Sequence, residues 1–175
     1  MNIVIGTADV PEGRQAAFLE GIAAAHKGLE QQPGFRWAMV MRPQENPSRL
    51  AAAAMWLTLE QAGEPEFPAR RYDVATARGS MTPAAAAALV EWQPDEQATP
   101  DFVNRWNAAY HAIEDAIGSR LLRDLDGSGR FTALHVAANA AALTPATLGT
   151  ANSDAGGDTR PSNVELFEVL FLNEA

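Results

Sequence analysis

Cysteine is absent from the 175-residue sequence, which rules out a disulfide framework, a thiolate nucleophile and a cysteine-based zinc site. Histidine is scarce. Its three occurrences, His26, His111 and His135, include no pair with zinc-ligand spacing, so no metal site is expected. Positive charge is short as well: 13 Lys and Arg stand against 22 Asp and Glu, a net charge of −9. A chain so acidic has no surface that would release counterions from a nucleic acid. The longest apolar run, Leu50 to Leu57, is eight residues, far short of the roughly 20 needed to span a bilayer. The opening MNIVIGTADV lacks the basic start and long apolar stretch of a signal peptide. A cytoplasmic protein without nucleic-acid or membrane partners is therefore expected. No phosphate-cradling loop, dinucleotide fingerprint or nucleophile elbow is present, and no cofactor is expected.

What the chain has in abundance is alanine, 35 residues of it, and an internal repeat. Arg42 and Arg49 lie seven residues apart around a Pro-rich turn, followed by the apolar run 51–57. Arg123 and Arg130 have the same spacing around a Gly-rich turn, followed by the apolar run 132–138. Each reads as a hairpin. Upstream of the first, Phe18, Ile22, Ala25 and Leu29 mark one face of a helix that Pro33-Gly34 stops. Upstream of the second, Thr99-Pro100 opens a helix whose stripe is Val103, Trp106, Tyr110, Ile113 and Ile117, with Gly118 as its C-terminal stop. Residues 2–10 read as a strand, and 72–78 and 164–172 as the strands closing the two halves. Short helical segments precede these at 58–63 and 143–150, and 151–163 reads as a loop. Between the halves, local propensity favours a helix over the alanines 84–88, whereas the repeat requires a strand over 86–93.

Each half is thus a β-α-β-β-α-β unit, the first over residues 1–80 and the second over 81–175. A four-stranded sheet with helices on one face leaves its other face bare. Two such sheets in one chain can bury those faces against each other. The fold class is α+β: two tandem ferredoxin-like units forming a barrel within the chain.

The string Asn104-Arg105-Trp106, followed by His111 and Gly118, is similar to the helix motif of EthD-like domains. These belong to the dimeric α+β barrel superfamily, which also holds the antibiotic-biosynthesis-monooxygenase-like domains. Phe18, His26 and Pro33-Gly34-Phe35 resemble the same pattern in the first half, and Val164 to Val169 resembles its closing strand. The resemblance implies a barrel usually made by two chains and here by two halves of one, leaving monomer and homodimer both open. Members include cofactor-independent oxygenases, isomerases and cyclases of small aromatic or polyketide-like compounds. Asn107 stands where an aromatic is common, and the Asn, Trp and His set of the haem-degrading branch is not matched. The implied partner is a small molecule, and a binding module without turnover is the alternative to an enzyme.

His26 and His111 are the candidate proton-transfer residues. Each has a carboxylate four positions on, Glu30 and Asp115, so each pair can share a helix face and favour the imidazolium. A group titrating near neutrality can act as base or acid on a phenol or enol; the competing reading is a solvated surface pair. His135, mid-strand with Phe131, Ala133 and Ala137 on its face, lines a ligand cavity or is a hydrogen-bonded core residue. Trp37, Met39 and Met41, with Met55 and Trp56 on the adjoining strand, floor an aromatic pocket or are plain core. Trp37, Trp56, Asn104, Trp106 and His135 are the candidate substrate contacts. The alanines either leave a cavity or bring helix and sheet closer. Asp124-x-Asp126-Gly127 begins like a calcium loop, but its twelfth position is His135 where a bidentate Glu belongs.

Overall fold

A computed structural model places eight strands, several of them apolar on both faces, in one closed barrel. It describes residues 1–65, 68–95, 99–109, 116–156 and 159–174. In chain order the elements are β1 (Asn2–Asp9), α1 (Glu12–Leu29), β2 (Phe35–Pro43), β3 (Arg49–Trp56), α2 (Leu59–Ala62) and β4 (Ala69–Gly79), followed by β5 (Ala86–Trp92), α3 (Thr99–Ala109), β6 (Ala116–Asp124) and β7 (Phe131–Ala137). A 3-10 turn (Ala140–Leu143), α4 (Pro145–Gly156) and β8 (Asn163–Glu174) complete the chain. No described helix is long and apolar enough to cross a membrane.

The strand order is β1-β3-β2-β8-β5-β7-β6-β4, closing back on β1. It divides into two ferredoxin-like sheets, β4-β1-β3-β2 and β8-β5-β7-β6. They join at two seams, β2 with β8 and β4 with β6, both antiparallel. The seams are related by the repeat. Arg42 lies opposite Glu168 in one and Arg123 opposite Asp73 in the other, with ion pairs of 2.5 and 3.0 Å. Exposed pairs of this kind stabilise little, but a one-residue slip would reverse every side chain's face. They mark the register that closure requires.

Inside the barrel lie Ile3, Trp37, Met39, Met41, Met55, Tyr72, Met81, Leu122, Leu134, Val136 and Phe167, all buried. Outside, α3 packs Phe102 and Trp106 onto Val90, Trp92, Leu121, Phe131 and Ala133. The strand over 86–92 follows the repeat and not alanine's helix propensity: Ala86 and Ala88 face α4 and the 3-10 turn, while Ala87 faces the interior. A strand at this place must complete β8 and β7 on either side. Both hairpins form where the paired arginines predict. In the second, Asp124 and Asp126 accept from the backbone amides of Asp126 and Ser128, so the calcium-like motif is a turn.

Two expectations are corrected. Ile117 and Gly118 do not end a helix; both lie in β6. Gly118 sits opposite Gly79, and a Cβ there would stand 1.7 Å from the Ser80 carbonyl oxygen. The glycine serves a close strand approach, not a helix stop. Residues 151–156, read as loop from their Gly, Asn and Asp content, continue α4. Tyr110, His111, Ile113 and Asp115 lie outside the described residues.

Gly118→Ala should therefore cost at least about 2 kcal/mol, seen as a lower urea midpoint. Gly13→Ala, in the exposed first turn of α1 with open space around it, should leave the midpoint unchanged or raise it.

Candidate active site beneath the first helix

Helix α1 is 18 residues long, yet Gln15 is its one fully buried side chain. Gln15 ties the start of the helix to the barrel, donating through Nε2 to the carbonyls of Val10 and Pro47. Beyond that anchor, Phe18, Leu19, Ile22, Ala23, His26 and Leu29 are only half-buried. The sheet beneath them presents alanine. Ala38, Ala52 and Ala54 occupy the outward positions of β2 and β3, where alternation would seat large residues against a helix. Ala52 is exposed although it lies mid-strand.

The result is a cavity of about 330 Å³ between α1 and the sheet, closed along one side by Trp56, Ala62 and Pro65. A smaller recess of about 40 Å³ adjoins it, lined by Phe18, Val40 and Leu50 and sharing Gly6, Ile22 and Ala52 with it. The main volume lies within the range of small-molecule sites. Its lining is apolar apart from one titratable group among the described residues, the imidazole of His26.

His26 leans on Phe171 of β8, ring centroids 5.0 Å apart, and its Nδ1 is buried with no hydrogen-bond partner among the described residues. Burial lowers its pKa below the ordinary 6.5. This corrects the expected His26–Glu30 pair. Glu30 accepts a 2.5 Å hydrogen bond from Asn173 Nδ2 instead. One turn of helix separates the two residues, and the terminal strand captures the carboxylate. His26 is thus held as the neutral base and not as the imidazolium.

The other candidates are dispersed. Trp56 borders the cavity and packs edge-on to Phe35 at 5.2 Å. Trp37 points the other way, into the barrel, with Met39, Met41 and Met55. Met55 and Trp56, adjacent in one strand, therefore cannot floor the same pocket. Asn104 is on the exposed face of α3. Trp106 and His135 meet in the second half, stacked at 5.9 Å with 22° between ring planes. His135 Nδ1 lies 2.7 Å from Ser119 Oγ, and burial lowers its pKa to about 4. In the repeat, Ser119 and His135 occupy the places of Ala38 and Ala54. The space that is open under α1 is filled under α3 by Phe102 and Trp106. The floor alanines were the residues a sequence reading could not single out; their outward alternation under a helix was the available signal.

Residues 1–63 match the family model of the antibiotic biosynthesis monooxygenases. Among solved structures, a candidate monooxygenase from Fusobacterium nucleatum subsp. nucleatum superposes with a TM-score of 0.76 at 8% identity, over 99% of this chain and 94% of that one. The chain has the fold of the dimeric α+β barrel superfamily. An anthrone oxidase-like protein gives a TM-score of 0.65 at 11% identity, covering 99% and 93%. A haem-degrading enzyme from Listeria monocytogenes gives 0.61 at 12%, covering 96% and 99%. Likeness at such identities is likeness of fold. No curated protein sequence matches the chain. Haem itself suits this α+β barrel's cavity poorly. Among the described residues its lining contains no Lys or Arg to meet two propionates. Among the described residues no group of three His, Asp or Glu could hold a metal ion.

The environment of His135 sets a pH dependence. The folded protein holds it neutral to about pH 4, whereas the unfolded chain protonates it near 6.5. Between these values the unfolded state binds the extra proton, so stability present above pH 6.5 is lost progressively as pH falls towards 4. The loss attributable to this residue should reach about 3 kcal/mol. Urea unfolding of wild type and His135→Gln across this window should give converging stabilities as pH falls. Parallel curves would show that His135 is not the titrating group.

Proposed function

We propose that the cavity beneath α1 is the active site of an enzyme acting, without a cofactor, on a small flat aromatic or polyketide-like compound, with His26 as proton acceptor. The observation that carries this reading is an apolar cavity of about 330 Å³ containing one titratable group, whose pKa burial depresses. An imidazole that is unprotonated at neutral pH can take a proton from a phenol, an enol or a methylene beside a ring carbonyl. Cofactor-independent oxygenation, isomerisation and cyclisation all begin with such a carbanion or enolate. Trp56 offers its ring edge to a flat ligand, and the alanine floor lets a ring system lie close to the sheet. The family match over residues 1–63 and the anthrone oxidase-like fold relative favour oxygenation. In that case one anthrone and one O2 give one anthraquinone and one water.

A binding module without turnover is the second reading. It is favoured by the absence, among the described lining residues, of any second ionisable side chain to meet the charge that develops on the substrate.

Oxygen uptake and product analysis with an anthrone decide between them. Turnover should fall about 100-fold or more in His26→Ala, and the pH–rate profile should decline on the acid side with its midpoint below 6.5. Ala54→Phe should abolish binding as well as turnover. Full activity in His26→Ala would refute the base assignment. Binding that Ala54→Phe removes, with no conversion by the wild type, would establish the second reading.

A further inference from the structure

The barrel interior is uneven along its length. Trp37, Met55, Met81 and Val136 pack the end away from the two hairpins. At the hairpin end the inward positions carry charge, and a cavity of about 350 Å³ remains. Eight-stranded barrels have interiors that side chains fill or that hold one small ligand, and this end is not filled.

Its base is apolar, formed by Ile5, Ala51, Leu89 and Phe167. Its lining carries two arginines, Arg49 and Arg70, and two carboxylates, Glu91 and Glu165. Arg70 donates through Nε and Nη2 to Asp124 and through Nη1 to Glu91, and its guanidinium lies 5.3 Å from the centre of the Tyr72 ring. Its cationic capacity is therefore spent within the protein. Arg49 approaches Glu165 only to 3.6 Å. Glu91 and Glu165, on the neighbouring strands β5 and β8, retain acceptor oxygens beside the cavity. Thr132, 1% exposed, also lines it. Its hydroxyl lies beside the Tyr72 phenol yet completes no hydrogen bond of ordinary geometry with a described residue. Partly exposed charge arranged around unfilled space stabilises the fold little.

We propose that this barrel mouth is a second small-molecule site, independent of the one under α1, which binds a primary amine with an apolar body. The ammonium sits between Glu91 and Glu165, and the apolar part enters the barrel against Leu89 and Phe167. Arg70 is already committed to Glu91 and to Asp124 behind it, which leaves Arg49 as the one loosely held rim cation against the acceptor oxygens of Glu91 and Glu165. The Thr132 hydroxyl can accept one of the ammonium protons.

Three probes with one ring and different head groups test the charge: benzylamine, benzyl alcohol and benzoate, titrated by calorimetry. Benzylamine should bind most tightly, and Glu165→Gln should weaken it about tenfold or more. Ala51→Leu, which adds bulk to the cavity base without touching a charged group, should abolish binding while the protein remains folded by circular dichroism. Ala54→Phe, at the other site, should leave benzylamine binding unchanged. Absence of benzylamine binding, a preference for benzoate, or undiminished binding in Ala51→Leu would each overturn the proposal. Failure of anthrone turnover bears only on the site under α1.

Discussion

Closure of the barrel within one polypeptide is the constraint on which the structure depends. Two ferredoxin-like sheets have four edges, and an exposed edge is a template for pairing with another chain. Here β2 meets β8 and β4 meets β6, so each edge finds its partner in the same molecule. Closure is possible only when both seams are in register together. The repeated Arg–carboxylate pairs, Arg42 with Glu168 and Arg123 with Asp73, sit at corresponding rungs of the two ladders. Gly79 and Gly118, opposed at the second seam, let the backbone approach as the circle demands.

Once the barrel is closed, the outer faces of its two halves no longer need to match. The helices are layers added to a scaffold whose integrity is settled by the strands, and each half has used that freedom differently. Under α3 the sheet and helix interlock through aromatic rings, with an imidazole stacked on Trp106 and bonded to a serine. Under α1 the corresponding positions are alanine, and the helix is fastened at its first turn by Gln15. Packed interiors are dense and tolerate few voids. A void of ligand size beneath one helix, beside full packing beneath its counterpart, is therefore a difference in what the two layers do.

The sequence was informative where it repeated itself. The arginine pairs flanking two hairpins located β2, β3, β6 and β7, and the repeat correctly outweighed helix propensity over Ala86–Trp92, because closure needs a strand there. Reading failed where a distant partner decided the outcome. Glu30 lies one turn from His26, and nothing local announces that Asn173, 143 residues away, will take its carboxylate. Gly118 looked like a helix stop because the crowding that demands it comes from Ser80, on a segment far off in sequence. Grouping Trp56 with Met55 was a different error. Alternation alone separates adjacent strand residues, and applying it would have divided Trp37 from Trp56. The same alternation, followed along β4, β5 and β8, places Arg70, Tyr72, Glu91 and Glu165 on inward faces. Charged residues inward in an otherwise apolar barrel were a legible anomaly.

That anomaly bears on how such a fold takes on chemistry. A barrel assembled from two identical chains must present each site twice, and any residue placed on a rim appears there twice. Joining the halves removes that restriction. Tyr72 and Phe167 occupy corresponding positions in the repeat, as do Arg70 and Glu165, but they differ in polarity or charge. An arginine facing its own copy across a symmetric mouth would repel it; here Arg70 meets Asp124 and Glu91 instead. The asymmetric charge arrangement at the hairpin end and the open cavity under α1 thus share one physical origin. Both require that the two halves be free to differ, and a single chain that closes its own barrel supplies that freedom.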